Sequence, residues 1–233
     1  MLGKEHPEAR EVGVRYARRS NDDRYSPRRP EVYLALQERQ RCVLRLIRRY
    51  CRHDDFSVIK VIEVGCGTGS NLLEFLQFGI QPENLCGIEL IPERSDKARR
   101  RLPSSVMIHD GDAMNVSIPV ESVDIAFQSL VFSSLLDDGY QRDLARQIWS
   151  WIKPTGGLLW YDFTYDNPAN ADVRGVTKAR IHALFPDASI SSRRVTLAPP
   201  ISRRVCRIHE AAYGVFNVFP FLRTHLLCWI AKR

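Results

Sequence analysis

The run Glu63-Val64-Gly65-Cys66-Gly67-Thr68-Gly69 decides the fold. It ends the apolar, β-branched segment 58–64, which predicts a buried strand, and it precedes a segment with helical spacing. Glycine lets the backbone turn tightly and approach a ligand without an intervening Cβ. The N-terminus of the helix that follows offers free N–H groups to a carboxylate or phosphate. The stretch therefore predicts a ligand site at a strand–turn–helix junction.

Segments of strand and helix character alternate on both sides of this turn. Strands are predicted at 58–64, 84–89, 105–109, 123–128 and 157–163, and helices at 31–52, 69–79, 92–102 and 139–152. This alternation is typical of a doubly wound α/β domain, in which a mostly parallel sheet has helices on both faces.

The two ends of the chain differ from this centre. Residues 1–30 are Arg-rich and contain three prolines, which predicts an extended N-terminal arm before a single domain at 31–233. Toward the other end, the pattern predicts a helix at 175–184, a strand at 189–197, a break at Pro199-Pro200, a helix at 203–218 and a closing strand at 222–231.

Composition narrows the class of protein. The 233 residues are 44% hydrophobic and 26% charged, as in globular domains. The N-terminus lacks the apolar region of a signal peptide, and the six cysteines match no zinc pattern, so we expect reduced cysteines, no metal site and a cytoplasmic protein. The net charge of +7 is uneven, since residues 61–172 sum to −8 and residues 173–233 to +9. The basic ends suit either solvated helix faces or an anionic partner.

Further polar residues stand at the predicted carboxyl ends of strands. Glu63 precedes the first glycine of the turn, where it can face a cationic amino group, and Glu89, 20 residues after Gly69, can accept both hydroxyls of a ribose. Asp112 follows the third strand and can accept from an adenine amine. Gln128 and Ser129 end the fourth strand. The G-x-G-x-G spacing differs from the G-x-G-x-x-G of dinucleotide folds, which disfavours a dehydrogenase.

These segments, in this order, resemble the class I S-adenosylmethionine-dependent methyltransferases over about residues 55–165. The resemblance implies a Rossmann-like sheet of seven strands with the last one antiparallel, and acceptor-side elements with closing strands in 166–233. It also implies that S-adenosylmethionine is the cofactor. The implied roles are Glu63, Gly65, Cys66, Gly67 and Gly69 at the methionine part, Glu89 at the ribose, Leu90, Asp112 and Ala113 at the adenine, and Gln128 and Ser129 beneath the sulfonium.

The acceptor side rests on weaker signals. Asp162, at the end of the fifth strand, is the candidate general base for O-methylation of a small molecule or glycan. Asn167 and Arg174 in the next loop are candidate acceptor contacts, and Tyr25 in the arm could fold over the site. Segments such as Trp160-Tyr161-Asp162-Phe163 and Leu222-Arg223-Thr224-His225 are similar to a bacterial subgroup linked to polysaccharide and cell-envelope synthesis.

Other functions stay open. A quinone, a secondary metabolite or RNA could be the acceptor, although Gln128-Ser129-Leu130-Val131 is not the Asp/Asn-Pro-Pro-aromatic segment that holds a flipped base. The chain could also be a non-catalytic scaffold that binds the cofactor. The apolar run 215–222 lies among arginines and could contact a membrane or a lipid-linked acceptor. The oligomeric state is not predicted.

Overall fold

One seven-stranded sheet organises the protein. The computed structural model describes residues 6–18, 26–51, 53–168 and 170–232. The strands in these ranges are β1 Val61–Val64, β2 Leu85–Glu89, β3 Met107–Asp110, β4 Val123–Ser129, β5 Ile152–Phe163, β6 Ser189–Leu197 and β7 Arg223–Ala231. The α-helices are α1 Pro7–Ala17, α2 Pro30–Tyr50, α3 Ser70–Gln77, α4 Pro92–Arg101, α5 Asp138–Trp151, α6 Lys178–Leu184, α7 Pro199–Ile208 and α8 Ala211–Asn217.

The strand order is β3-β2-β1-β4-β5-β7-β6. Strands β1 to β5 are parallel to one another, and β7 is antiparallel to both β5 and β6. The predicted doubly wound sheet with an antiparallel last strand is confirmed. The order reverses between β1 and β4, and open α/β sheets bind ligands at such a switch point, outside the carboxyl ends of the strands.

The core lies on both faces of the sheet. All four residues of β1 are buried, and its side chains alternate between the faces, so that Ile62 belongs to the same buried cluster as Trp160 and Val61 to the same cluster as Phe127. Such complete burial explains why the strand reads as a continuous apolar run interrupted only by Glu63. The six cysteines are all unpaired.

Two sequence predictions about backbone were wrong. The first concerns the arm, which is helical over Pro7–Ala17 instead of extended. Pro7 stands at the first helical position, where its fixed φ suits a helix, and the His6 ring accepts from the Glu8 N–H at 3.1 Å. Burial of Ala9 and Val12 against the body of the protein then stabilises the helix.

The second concerns the segment between β6 and β7. Pro199-Pro200 begins a helix instead of breaking the chain, because both prolines fall in the first turn, where no donor is lost. The single helix expected at 203–218 is two helices, since His209 is extended and separates α7 from α8. Elsewhere the predicted elements are present, with ends that differ by a few residues.

Candidate functional site

A cavity of about 290 Å³ opens over the carboxyl ends of β1 to β4. Of the residues predicted from sequence, those that line it are Gly65, Cys66, Gly67, Glu89, Leu90, Asp112, Ala113 and Ser129. Glu63, Gly69 and Gln128 lie behind this lining, and Asp162, Asn167 and Arg174 are not part of it. Tyr25 lies outside the described residues, so its predicted role stays a prediction.

The glycine turn forms one wall. Gly65, Gly67 and Gly69 have φ of 70°, 59° and 80°, which only glycine adopts without strain. The N–H groups of Gly65 and Cys66 both donate to the Ile88 carbonyl, at 2.8 and 3.0 Å, and tie the turn to β2. A Cβ on Gly65 would lie 2.5 Å from the Val131 side chain. The turn therefore keeps its backbone bare toward the cavity.

Glu89 is held at the end of β2 by backbone donors. Its carboxylate accepts from the Gly67 N–H at 2.6 Å and from the Ile91 N–H at 3.0 Å, while the Arg94 guanidinium lies 4.0 Å away. The side chain is buried yet lines the cavity. Because a carboxylate has about four acceptor positions, Glu89 retains capacity to accept from a ligand's hydroxyl groups.

Asp112 has one committed oxygen and one unpartnered oxygen. Its Oδ1 accepts from the Met114 N–H at 2.9 Å and from the Tyr140 hydroxyl at 2.5 Å. Its Oδ2 is buried and has no hydrogen-bond partner among the described residues. A buried acceptor without a donor is costly, so this oxygen fits a site for a ligand donor. Leu90 and Ala113 supply apolar surface beside it.

Glu63 is fully buried behind the glycine turn. Its Oε1 accepts from the Asn71 amide at 2.5 Å, and its Oε2 has no partner in the described part of the chain. Desolvation raises the pKa of Glu63 to about 8, against the Asn71 hydrogen bond and the Arg39 charge, which lower it. Asn71 itself lines the cavity, so the Glu63 carboxylate is separated from the cavity by one side chain.

Arg39 of α2 completes this buried group. Its Nη2 donates to Asn71 Oδ1 at 2.5 Å and to Glu74 Oε1 at 3.0 Å, and its Nη1 lies 3.4 Å from Ser129 Oγ. The sequence does not single out Arg39, because it is one of many arginines on a helix that is predicted to be amphipathic.

The end of β4 and the segment after it form the opposite wall. Ser129 faces the cavity, whereas Gln128 is fully buried and its Oε1 accepts from the Val131 N–H at 3.1 Å. Leu130 has a φ of 62°, an uncommon conformation for a residue with a side chain. Gln128 therefore shapes the turn at Leu130 instead of facing the cavity.

Asp162 does not reach the cavity. It is fully buried below residues 132–134, where it accepts from the Ser133 and Phe163 N–H groups, both at 3.1 Å. Burial raises the pKa of Asp162 to about 7, and the hydrogen bonds from Ser133 oppose that rise. The side chain therefore does not line the cavity at which we expected an acceptor, and its role as a base stays a prediction.

The two other acceptor candidates lie on the protein surface. The Arg174 guanidinium pairs with Asp138 at the start of α5, and the Arg174 N–H donates to the Ser133 carbonyl at 2.8 Å. Asn167 is exposed and accepts from the Asn170 N–H at 2.9 Å through its carbonyl. Neither side chain is brought to the cavity, because the loop after β5 folds against α5.

Helix α1 covers the cavity, and the sequence prediction missed it. Ala9, Val12 and Tyr16 line the cavity from this helix. Glu8 and Arg15 form a buried ion pair at 2.6 Å. The Arg15 guanidinium also donates to the Ser134 carbonyl at 2.9 Å, and the Leu136 N–H donates to Glu8 at 2.7 Å. The spacing of the three apolar residues, three and four apart, is the signal that could have revealed a helix.

Comparisons with known proteins agree with this geometry. A family model described as a methyltransferase domain matches residues 61–156, which run from β1 into β5. An uncharacterized methyltransferase of Geobacillus sp. (strain WCH70) is 28% identical over 120 residues, 52% of this chain and 54% of that protein. Residues 61–156 match a methyltransferase domain, which supports the predicted resemblance to the class I S-adenosylmethionine-dependent methyltransferases. The match spans about half the length of this curated relative.

Solved structures share the fold at low identity. Geranyl diphosphate C-methyltransferase from Streptomyces coelicolor A3(2), in complex with Mg²⁺, geranyl diphosphate and S-adenosylhomocysteine, has a TM-score of 0.67 at 11% identity, covering 98% of both chains. An S-adenosylmethionine-dependent methyltransferase from Archaeoglobus fulgidus has a TM-score of 0.59 at 15% identity, covering 86% of this chain and 99% of the other.

S-adenosylmethionine, the cofactor of this family, fits the residues present. The unpartnered Oδ2 of Asp112 suits the adenine amine, Glu89 suits the ribose hydroxyls and the buried Glu63 suits the cationic methionine end. Within the described residues no helix is long and apolar enough to cross a membrane, and no cluster of potential metal ligands occurs.

Proposed function

We propose that this chain transfers a methyl group from S-adenosylmethionine to a hydroxyl oxygen of a small-molecule or glycan acceptor. The cofactor half of this proposal rests on one observation: Glu89 and Asp112 line the same cavity, and the Oδ2 of Asp112 has no hydrogen-bond partner among the described residues. Two carboxylates at the ends of neighbouring strands suit the two donor groups of an adenosine, its ribose hydroxyls and its adenine amine.

The residues are assigned along the cavity from the glycine turn to β4. Gly65, Cys66 and Gly67 form the cradle of the methionine part, with Gly69 ending the turn and Glu63 behind it. Glu89 accepts from the ribose, Leu90 packs on the adenine, and Asp112 with Ala113 holds the adenine edge. Ser129 lies beneath the sulfonium, and Gln128 fixes the turn that carries it.

The acceptor belongs beside Ser129, at the same edge of the sheet. Ser129 on β4 pairs with Tyr161 on β5, whose ring stacks on His225 of β7 at 4.9 Å. The Tyr161 hydroxyl is 2.8 Å from Thr196 Oγ1. A bound cofactor would supply an electrophilic methyl group, so the protein mainly has to align an acceptor oxygen with it, and alignment alone can contribute about 7–11 kcal/mol.

Asp162 serves this proposal as a positioning residue. Its hydrogen bond from Ser133 holds the segment that follows Ser129. Action as the general base would require that hydrogen bond to be released, so that the carboxylate could approach an acceptor. The pKa near 7 suits a base, and substitution, described below, separates the two roles.

Small acceptors are favoured over RNA. The structural neighbour from Streptomyces coelicolor holds geranyl diphosphate on the same fold over 98% of this chain, so the fold accommodates a small anionic molecule. The excess of positive charge in 173–233 suits an anionic or lipid-linked acceptor as well. The experiment has two kinds of alternative outcome. The acceptor is a quinone, another secondary metabolite or RNA, or the chain is a scaffold that binds the cofactor without catalysis.

Titration calorimetry with S-adenosylmethionine, S-adenosylhomocysteine and NAD tests the cofactor half. We expect micromolar binding of both adenosyl ligands and none of NAD. Glu89→Ala should weaken binding by two orders of magnitude or more, since charge-assisted hydrogen bonds contribute about 1.5–3 kcal/mol each. Glu93→Ala, an exposed position in the first turn of α4, is the matched control and should bind normally.

Methyl transfer is then measured with a labelled cofactor against panels of glycans, phenols, quinones and RNA. Label in a glycan or phenol, lost in Glu89→Ala, would support O-methylation of a small acceptor, and label in RNA alone would refute it. Tight cofactor binding without transfer to any panel would favour the scaffold. Absence of adenosyl binding would overturn the whole proposal.

A further inference from the structure

We propose that the segment between α7 and β7 is a docking surface for an anionic lipid bilayer, placed at the edge of the sheet where the cofactor cavity opens. We call it the 208–221 surface and define it by its exposed apolar residues Ile208, Val215, Phe216, Val218, Phe219 and Phe221.

The exposure of these side chains is large. Ile208 is 86% exposed, Phe221 74% and Val218 67%, and the six residues fall within fourteen positions of the chain. Single exposed apolar residues are ordinary, but an exposed cluster marks a contact with a protein, a membrane or a ligand. Burying a phenylalanine or valine side chain typically favours the bound state by a factor of ten or more, by about 1.5–3 kcal/mol.

The fold fixes this surface in place. The Phe219 and Phe221 rings lie 5.7 Å apart, and the Phe219 N–H donates to the Phe216 carbonyl at 3.2 Å. The Arg223 guanidinium donates to the Asn217 carbonyl at 2.8 Å through Nε. The apolar side chains of the 208–221 surface are therefore held together in the folded protein, and binding requires no folding step.

The register of the sheet places this surface on the cofactor side. Leu197, at the end of β6, pairs with Arg223 at the start of β7, so residues 198–222 connect the two strands at that edge. Phe163, the last residue of β5, pairs with His225. Since β5 is parallel to β4, this edge also holds Ser129 and the cavity.

Charge selects the occupant. Residues 199–223 contain Arg203, Arg204, Arg207 and Arg223 but one acidic residue, Glu210. Aromatic side chains next to arginines are typical of interfacial contact with anionic lipid. A two-fold dimer through the same surface would bring the arginines of both copies together, which disfavours a second copy of the chain as the occupant.

Vesicle co-sedimentation of the full chain tests the proposal. Vesicles of phosphatidylcholine are compared with vesicles that also contain phosphatidylglycerol, at low and high salt. We expect binding to the anionic vesicles that weakens with salt. Phe219→Ser/Phe221→Ser should reduce it by about two orders of magnitude, and Arg204→Ser/Arg207→Ser by about fivefold for each arginine. Met107→Ser/Val120→Ser, which removes two other exposed apolar residues, is the matched control.

The outcomes separate the surface from the rest of the protein. Cofactor binding, measured on the same preparations, should be unchanged in all three variants. Failure of the wild type to bind anionic vesicles while cofactor binding is intact refutes the docking surface alone. Equal loss in the Met107/Val120 control also refutes it. A dimer in light scattering that dissociates in Phe219→Ser/Phe221→Ser would assign the surface to self-association and overturn the proposal.

Discussion

Cofactor affinity should depend on pH through Glu63, and replacement by glutamine tests this. Glu63 lies in a fully buried position with one oxygen bound by Asn71 and the other without a partner in the described structure. Desolvation is the main reason that its pKa rises to about 8, above the ordinary 4.5. At neutral pH the carboxyl group of the ligand-free protein is therefore mostly protonated.

The size of this pH dependence follows from the rise in the pKa of Glu63. Raising the pKa from 4.5 to about 8 corresponds to about 5 kcal/mol against ionisation. A cationic amino group bound beside Glu63 favours the ionised form and lowers the pKa again. Binding then releases a proton below pH 8, and affinity rises by up to about tenfold per pH unit. Between pH 6 and pH 8 the limit is about 100-fold.

Titration calorimetry with S-adenosylhomocysteine between pH 6 and pH 8.5 measures this slope. Repeating each titration in buffers with different ionisation enthalpies counts the proton released. Methylthioadenosine, which has the adenosine but not the amino-acid part, is the control ligand and should bind with little dependence on pH. Glu63→Gln should remove the slope for S-adenosylhomocysteine and weaken its binding at pH 8.

Two results would refute this reasoning. One is a wild-type affinity for S-adenosylhomocysteine that is constant from pH 6 to pH 8. The other is a slope that persists in Glu63→Gln, which would assign the proton to another group. Asp162 also has a pKa in this range, at about 7, so Asp162→Asn serves as the second control and should keep the slope.

Three further predictions concern the contacts around the cavity. Tyr140→Phe removes the hydroxyl that binds Asp112 and should weaken adenosine ligands by about tenfold, the effect of one hydrogen bond, in calorimetry; unchanged affinity would contradict the adenine assignment. Arg15→Met leaves the Glu8 carboxylate buried without its cation and should lower the free energy of unfolding by about 3 kcal/mol in urea denaturation; a loss below 1 kcal/mol would mean that α1 is not docked. Asp162 binds its proton more tightly in the folded state, so its contribution to stability falls as pH rises from about 4 to about 7. Between pH 5 and pH 8 the free energy of unfolding of Asp162→Asn should therefore fall by about 3 kcal/mol less than that of the wild type. In the same variant, a kcat retained within tenfold would identify a positioning residue, whereas loss of kcat with normal cofactor binding would identify the base.

Local signals were enough to predict that the glycine turn, Glu89 and Asp112 lie together at one cavity. The glycine turn begins directly after β1, Glu89 is the last residue of β2, and Asp112 lies two residues after β3. In a parallel sheet the carboxyl ends of neighbouring strands meet at one edge. Knowing the strands was therefore enough to bring these residues together. The strand ends were also predictable because β1, β2 and β4 are short runs of buried, mostly apolar residues.

Orientation at the strand ends was harder to predict. The two-residue period of a strand shows that Trp160 and Asp162 share a face, but not what covers that face. The segment 132–134 folds back over Asp162, and its N–H group binds the carboxylate. Gln128 is covered in the same way. Asp162 and Gln128 are polar residues at strand ends, as expected of residues that contact a ligand. Tertiary packing instead buries them, and they hold the backbone of the cavity wall.

Helix α1 was missed because its stability comes from distant contacts. Residues 1–30 are rich in arginine and contain three prolines, and this composition predicted an extended arm. The contacts that hold the helix join Glu8 and Arg15 to residues about 120 positions away. Composition cannot reveal such contacts, and short helices are marginal in water without them.

Helix α2 links the cofactor site to the segment before β7 through two adjacent residues. Arg39 reaches Asn71 and Ser129 at the cavity. Glu38 accepts from the Thr196 N–H and from the Tyr213 hydroxyl, both at 3.1 Å, and so binds the end of β6 and α8. Adjacent residues on a helix point about 100° apart, so one rigid helix can hold both regions. Thr196 is β-branched and has a φ of 65°, which is an unfavourable conformation for such a residue. The hydrogen bond to Glu38 helps to maintain it. The position of α8 is therefore set by the same helix that braces the cofactor site.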